Sequence, residues 1–369
     1  MTTTLRVVFD PSAPGIGPDL AVAARELAAG LVATAPSGCE VRAIVPSDGG
    51  DVPQVSQAVA GVDRLPVGSA AASALWRRGL RAGAGDGLIH SPTLAAPLVR
   101  HDRVHDHDQT VVTLWDLKPW ESPDELSRTD AAWSRAMLRR AVRHADAVVV
   151  PTHELARRVA ELAPLGDRLR VISGAPSADL RVSSDEVGRR RDLTLPDGYV
   201  LLSGSTAPSD RLRTGFEAIV RSGRDTAVVV IDAPEGQEPE VAELAAAAGL
   251  PERRLHVRGS LDAPDRAAVM AGAVAFLAAA DSSAFPWRTL DALRLGVPIV
   301  AADSATHREL LLDGATFAAG DPGALGDELA GALSSTSTVE RLAVLAADRG
   351  RAFSWLGAAE RVWQLHAEL

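Results

Sequence analysis

The stretch DSSAFPWRTLDALRLGVPIVAADS, Asp281 to Ser304, carries the residue types that hold a polyhydroxylated ligand. Asp281, Ser282 and Ser283 form a turn with helix-capping chemistry after an apolar run. A helix from about Trp287 to Leu295 follows, carrying Asp291, and Gly296 with Pro298 stops it before a buried strand. A carboxylate so placed can accept from both hydroxyls of a ribose, as acidic residues do in nucleotide-binding folds. An exposed helical aspartate with no ligand fits the same residues.

Three further segments offer groups of the same kind. In LLSGSTAPSDRL, from Leu201, a strand gives way to a turn whose Gly204, Ser205 and Thr206 present amides and hydroxyls suited to a phosphate. Arg211 and Arg213 follow, with guanidinium forks that match a diphosphate; a capped helix start with solvated arginines is the plainer alternative. In PGIGPDLAVAARELAAGL, from Pro14, Gly15 and Gly17 make a turn that lets a ligand approach the backbone, and Pro18 opens a helix. An ordinary strand-to-helix turn would look the same. In VTLWDLKPWESPDEL, from Val112, the residues Trp115, Asp116, Lys118 and Trp120 follow a buried strand, and their tryptophans suit either a sugar face or packing between layers. The histidines and aspartates of HDRVHDHDQ, from His101, tempt toward a metal. Imidazole ligands need rings held in place by partners, whereas this stretch reads as a solvated connection, so no metal site is assigned.

The elements that must position these groups follow from short apolar runs separated by helical stretches, the pattern of parallel α/β layers. Strands are expected at LRVVFD, EVRAIV, GLIHS, TVVTLW, DAVVVP and LRVIS in the first half, and at YVLLSG, TAVVVID, RLHVRG, AVAFLAA, PIVAAD and TFAAG in the second. Runs this continuous suit strands covered on both faces, and two sets of about six imply two doubly wound domains. The polar, period-free stretch between Ser173 and Tyr199 divides them. From Val339 two helices are expected, the second with an apolar stripe of Trp355, Ala358, Val362, Trp363 and Leu365 that must pack on something.

A chain of 369 residues fits two domains, and its 46% hydrophobic and 23% charged composition is that of a globular protein. The net charge of −10 argues against broad binding to nucleic acid. No apolar run is long enough to span a bilayer, MTTTLRVVFD reads as a first strand, and Cys39 is the only cysteine, so a cytoplasmic protein is expected. The arginines of AMLRRAVRHA, from Ala136, offer at most a peripheral contact with the inner face of the membrane. Lys118 is the only lysine, so phosphate contacts must fall largely to arginine or to backbone amides.

Taken in order, these segments resemble the family 4 glycosyltransferases, retaining enzymes of the two-domain GT-B fold that use nucleotide-sugar donors. The glycine turn at Gly15–Gly17, TLWDL, ADAVVVPTHELARRV, RVISGAPSADL, YVLLSGSTAPSDRL, LDALRLGVPIVAADSATHREL and FSWLGAAERVWQLH each look like a family segment, so the resemblance covers essentially the whole chain. It implies two Rossmann-like domains facing a cleft: an acceptor-side domain over residues 1–180 and a donor domain over 181–353. Residues 354–369 would form a helix crossing back to the first domain. It implies that Gly204, Ser205, Thr206 and Arg211 hold the diphosphate, Asp291 the ribose, and Ser283 the sugar. Trp115 and Asp116 would stand near the sugar, forming with Arg211 the catalytic group, while Gly15 and Gly17 line the acceptor side. No cofactor or metal is implied, because such enzymes neutralise the diphosphate with side chains and helix ends.

The departures fall in the site. Ser283 and Asp291 stand where the family carries two glutamates, Ser209 and Asp210 where it carries arginine and lysine, Trp115 where it carries histidine, and Pro18 where it carries arginine. Losing one electrostatic contact to a leaving group costs about 3–4 kcal/mol, so the remaining arginines (Arg211, Arg213, Arg258, Arg288) would have to replace the charge. The expectation is hexosyl transfer, mannosyl included, from a GDP- or UDP-hexose to a surface glycan or lipid-linked acceptor, with retention, as in polysaccharide biosynthesis. The alternative is a catalytically silent member that binds or partners an active transferase.

Overall fold

A computed structural model of the chain describes residues 2–10, 12–49, 59–102, 107–282 and 284–369. The chain divides into two compact units, Met1–Ala175 with Phe353–Leu369, and Pro176–Ala352.

The first unit is built on a parallel sheet of β1 (Thr3–Val8), β2 (Cys39–Val45), β3 (Gly61–Arg64), β4 (Leu88–Ser91), β5 (Gln109–Thr113), β6 (Ala147–Val150) and β7 (Leu169–Val171), in the order β3-β2-β1-β4-β5-β6-β7. The second carries β8 (Tyr199–Ser203), β9 (Ala227–Ile231), β10 (Leu255–Val257), β11 (Ala273–Ala278), β12 (Ile299–Ala302) and β13 (Thr316–Ala318), also parallel, in the order β10-β9-β8-β11-β12-β13. The central strands are the continuous apolar runs: every residue of AVVV in β6 and of IVAA in β12 is buried. β3 is the exception, a short GVDR strand that stands at the edge beside β2 among the described residues and has no apolar run to betray it. Strand order reverses between β1 and β4 and between β8 and β11, the places where doubly wound sheets open a crevice at their carboxyl ends.

Helix Pro18–Ala33 begins with Pro18 at its first position, where the missing N–H costs nothing. The expected stripe on the last helix, Trp355–Glu368, is buried throughout. It lies on Pro18–Ala33 so closely that a Cβ at Gly30 would come within 2.8 Å of the Trp355 carbonyl oxygen. Trp363 Nε1 donates to the Leu31 carbonyl at 3.0 Å. The final helix therefore belongs to the first unit.

Two local expectations change. The stretch between Ser173 and Tyr199 is not wholly irregular: Glu186–Asp192 is helical and docks on the helix Ala263–Ala271 through Arg189 and Asp265, 2.7 Å apart. The turn at Asp281 and Ser282 does not cap the helix Trp287–Leu295, whose N-cap is Pro286 with no side-chain bond. Of the basic stretch from Ala136, Met137, Leu138 and Ala141 are buried in helix Arg128–His144 and Arg140 donates to the Leu98 carbonyl at 3.2 Å, leaving Arg139 and Arg143 exposed. Among the described residues no helix is long and apolar enough to cross a membrane.

The final helix is also tied to the sheet through histidine. His366 Nδ1 pairs with Gln109 Oε1 at 2.9 Å, and its ring meets the fully buried His90 ring edge-on at 5.6 Å. Burial lowers His90 and brings His366 down from 6.5 to about 4, so the folded protein holds both rings neutral. The unfolded chain then binds more protons below pH 6.5, and stability falls as the pH drops from there toward 4, by about 1 kcal/mol per pH unit per proton. The urea midpoint followed by tryptophan fluorescence is expected to fall between pH 7 and pH 5, and His366→Gln to remove part of that fall; an equal pH dependence in the variant would contradict the assignment.

Candidate functional site

In the second unit the crevice is made by the loops after β8, β9 and β11. The chain leaves β8 through Gly204, whose φ of +132° is one that side chains rarely adopt, and where a Cβ would meet Asp210 at 2.9 Å. That close approach has a purpose in the fold. Asp210 Oδ2 accepts from both the Ser205 N–H and the Ser205 hydroxyl, each at 2.7 Å, and Ser205 Oγ in turn accepts from the Ala207 N–H at 3.1 Å. On the turn expected to receive an anion sits this chain's own carboxylate, Asp210. Thr206 is exposed on the same turn.

Arg211 adopts a left-handed backbone (φ +52°) at the start of helix Leu212–Arg221. Its guanidinium pairs with Asp281 after β11 and donates to the Gly320 carbonyl at 2.5 Å. Arg211 thus spans the strand-order reversal between β8 and β11. Arg213 pairs with Glu217 on its own helix, and Arg258 donates to the Leu193 carbonyl at 3.0 Å. Neither is brought to the turn by these contacts.

Asp291 is 3% exposed. Its Oδ2 accepts from Arg288 Nη1 at 3.2 Å, and Arg266 Nε lies 3.1 Å from the same oxygen. Arg288 also forks onto Asp232, at 2.6 and 3.2 Å, and Asp232 accepts from the Ser203 hydroxyl at 2.8 Å. Asp232 follows β9 with a φ of +64°, a conformation that an aspartate tolerates better than most residues. The carboxylate expected to meet a ribose is buried inside a relay, Ser203–Asp232–Arg288–Asp291–Arg266. Ser283 lies outside the described residues.

In the first unit a cavity of about 140 Å³ opens at the carboxyl ends of β4 and β5, with Gly15, Thr93, Trp115, Asp116, Lys118 and Ser134 in its lining. Gly15 (φ +76°) belongs to this wall, whereas Gly17 is the N-cap of helix Pro18–Ala33 with open space around it. Trp115 is 6% exposed, donates to the Pro92 carbonyl at 2.8 Å and meets Trp355 edge-on at 6.5 Å. It is a fixed wall with no proton to exchange. Asp116 Oδ1 accepts from the Lys118 N–H at 2.8 Å, and Lys118 Nζ reaches Glu125 at 3.1 Å. Burial pushes the Asp116 carboxyl above the usual range, against the pull of the Lys118 N–H and ammonium. A carboxylate raised in this way is suited to taking a proton from a hydroxyl.

Sequence reasoning missed Asp232 and Arg266. Asp232 closes the apolar run AVVVID, the signature of a strand-end residue, whereas nothing marks Arg266 among the surface arginines. Among the described residues no three His, Cys, Asp or Glu side chains cluster as metal ligands.

Two family models match the chain in sequence: a glycosyl transferase 4-like domain over residues 20–175 and a glycosyl transferases group 1 domain over residues 199–335. The chain matches no curated protein sequence. Solved structures share its fold along nearly its whole length. Sucrose-phosphate synthase from Thermosynechococcus elongatus superposes with a TM-score of 0.74 at 17% identity, covering 99% of this chain and 98% of that one. Anabaena HepE in complex with UDP gives 0.68 at 17% identity, with both chains covered in full (100%). WaaG, a glycosyltransferase of lipopolysaccharide biosynthesis, gives 0.66 at 16% identity over 97% and 98% of the two chains.

The buried relay makes a prediction that concerns stability before ligands. Asp291→Ala strands two arginines without their shared carboxylate, a loss of about 3–5 kcal/mol. Chemical denaturation of the variant should register it, with Asp291→Asn less affected. Wild-type stability in Asp291→Ala would show that the relay does not brace the unit.

Proposed function

The chain belongs to the family 4-like glycosyltransferases of GT-B fold, and from that premise we propose that it transfers a hexosyl group, with retention, from a UDP- or GDP-hexose to a glycan or lipid-linked acceptor. The observation that carries the proposal is that the Gly204–Ser205 turn leaves β8 at its reversal with β11, where the Arg211 guanidinium pairs with Asp281 after β11. The diphosphate would lie on the turn amides and on Arg211.

Exposure favours that exchange. Asp281 is 55% exposed and Arg211 26%, and an ion pair of this kind is worth roughly 0–1 kcal/mol. A diphosphate offers Arg211 more charge and a geometry that fits its fork. Asp291 keeps a supporting role, holding Arg288, which in turn fixes Asp232 at the rim. On the acceptor side Asp116 would draw the proton from the attacking hydroxyl beside the Trp115 wall. UDP is the first nucleotide to try, because the Anabaena relative with the same fold is found with UDP and with UDP-glucose.

A second reading, a silent binding or partner subunit, is favoured by Asp210. Its carboxylate takes the Ser205 amide that a phosphate would use and places like charge there.

Calorimetric titration with UDP, GDP and their hexose conjugates separates the two. Transferase character predicts binding of one nucleotide, weakened about 10- to 100-fold in Arg211→Ala through the loss of charge-assisted hydrogen bonds. Asp210→Asn, which removes the competing charge, should tighten it. No binding to wild type at millimolar concentration, with binding appearing in Asp210→Asn, would instead establish the silent reading.

A further inference from the structure

The nucleoside of a donor needs a partner for its sugar hydroxyls, and Asp291 lies too deep to be one. Its side chain is 4% exposed, and its Oδ2 is shared between Arg288 and Arg266. Asp232, which follows β9 at the same crevice, has a side chain 20% exposed.

Hydrogen bonds set Asp232 beside the Gly204–Ser205 turn. β9 pairs with β8 in the register Ser203↔Ile231, and the Gly204 N–H donates to the Ile231 carbonyl at 3.0 Å. The Ser203 hydroxyl donates to Asp232 Oδ2 at 2.8 Å, while the Asp232 N–H donates to the Gly259 carbonyl at 3.1 Å. The order is strand, glycine turn, helix Leu212–Arg221, then a second strand that ends in an acidic residue. In dinucleotide-binding folds the same order lays phosphates on the turn and a ribose hydroxyl on the acidic residue. The left-handed backbone of Asp232, φ +64°, is of the kind that gathers at ligand clamps.

A carboxylate offers about four acceptor positions. Arg288 Nε and Ser203 Oγ take those of Oδ2, at 2.6 and 2.8 Å, and Arg288 Nη2 takes one on Oδ1 at 3.2 Å. Among the described residues no second donor meets Oδ1, so that oxygen keeps room for one. Arg288 already balances the charge, so the incoming donor need not be a cation. A hydroxyl suffices, as Ser203 shows.

We propose that Asp232, in place of Asp291, takes the ribose of the donor, its Oδ1 accepting from the 2′-hydroxyl. Resting on the transferase reading above, this names the donor class: a ribonucleoside diphosphate sugar, and not a 2′-deoxyribonucleoside one of the thymidine kind. Asp232 is then a specificity residue. It rejects a deoxyribose, which would displace water from the carboxylate and return no hydrogen bond.

The test is calorimetric titration of the full chain with UDP against 2′-deoxy-UDP, and with GDP against 2′-deoxy-GDP. The ratio within a pair is the readout, because a partial loss of folded protein or of phosphate binding weakens both members alike. For the nucleotide that binds, wild type is expected to favour the ribose form at least tenfold, as one hydrogen bond to a charged acceptor implies. Asp232→Gly, which the left-handed backbone accepts without strain, is expected to bring the ratio close to one, and Asp232→Asn, which keeps the size, to lower it. Equal binding of the two forms by wild type, or a ratio unchanged in either variant, would overturn the proposal. A preference that survives in Asp232→Gly and vanishes in Asp291→Asn would return the ribose to Asp291. The two ideas fail separately. Nucleotide binding without ribose selectivity retires the role of Asp232 alone, whereas no binding to wild type or to Asp210→Asn retires the donor reading and this role with it. If only Asp210→Asn binds, the same ratio is read in that background.

Discussion

A parallel sheet that reverses its strand order must leave one neighbouring pair of strands whose following segments depart in opposite directions, and this constraint governs both units. No crossover helix closes the gap at the carboxyl ends of such a pair, so polar groups there escape the apolar covering that the rest of the sheet requires. In the first unit the pair is β1 and β4, and in the second β8 and β11. Asp10 and the Gly15 turn follow β1, Thr93 follows β4, and Trp115 to Lys118 follow β5. Gly204 to Arg211 follow β8, Asp232 follows β9, and Asp281 follows β11. Residues far apart in the chain become neighbours because the strands before them are neighbours. The apolar runs that carry no chemistry therefore decide where the chemistry stands.

Within the second crevice the charges form two tiers that differ in what it costs to disturb them. Arg211 and Asp281 lie at the surface, where solvent screening leaves little to lose on exchange. Arg288, Asp291 and Arg266 lie beneath, with side chains 4–11% exposed, where removing any one partner strands the others. A ligand can recruit the upper tier and be aligned by the lower one. Asp232, more exposed than the lower tier, reaches down to Arg288 and accepts from Ser203 at the end of β8. Rigidity under an exchangeable contact is what a binding site needs to be both selective and reversible.

How much of this was legible depended on whether the cause was local. The helix Trp287–Leu295 was readable from its period and from the Gly296 stop, and the burial of the final helix from its stripe of Trp355, Val362 and Trp363. Glycine turns announced themselves at Gly15 and Gly204 because their φ values exclude most side chains. Asp291 did not reveal its burial, since one of its partners, Arg266, sits on another helix and is one arginine among many in a chain that uses almost no lysine. The short strand β3 was likewise hidden, because it lacks any apolar pattern to read.

The presence of Asp210 beside Ser209 gains a physical meaning from the turn itself. A glycine turn with inward amides attracts an anion whether or not a ligand is present. The Gly204 N–H is taken by the Ile231 carbonyl at 3.0 Å and the Ala207 N–H by Ser205 Oγ at 3.1 Å, and the Ser205 N–H still needs an acceptor. Asp210 supplies the anion from within, satisfying the Ser205 N–H and hydroxyl at 2.7 Å. The carboxylate is held there by one amide and one hydroxyl, both of Ser205. A diphosphate that displaced it would bring more charge to the same donors and to Arg211, so the internal anion fills the turn in the absence of ligand without fixing it against one. Asp210 is then what any incoming anion must compete with for the Ser205 N–H and hydroxyl.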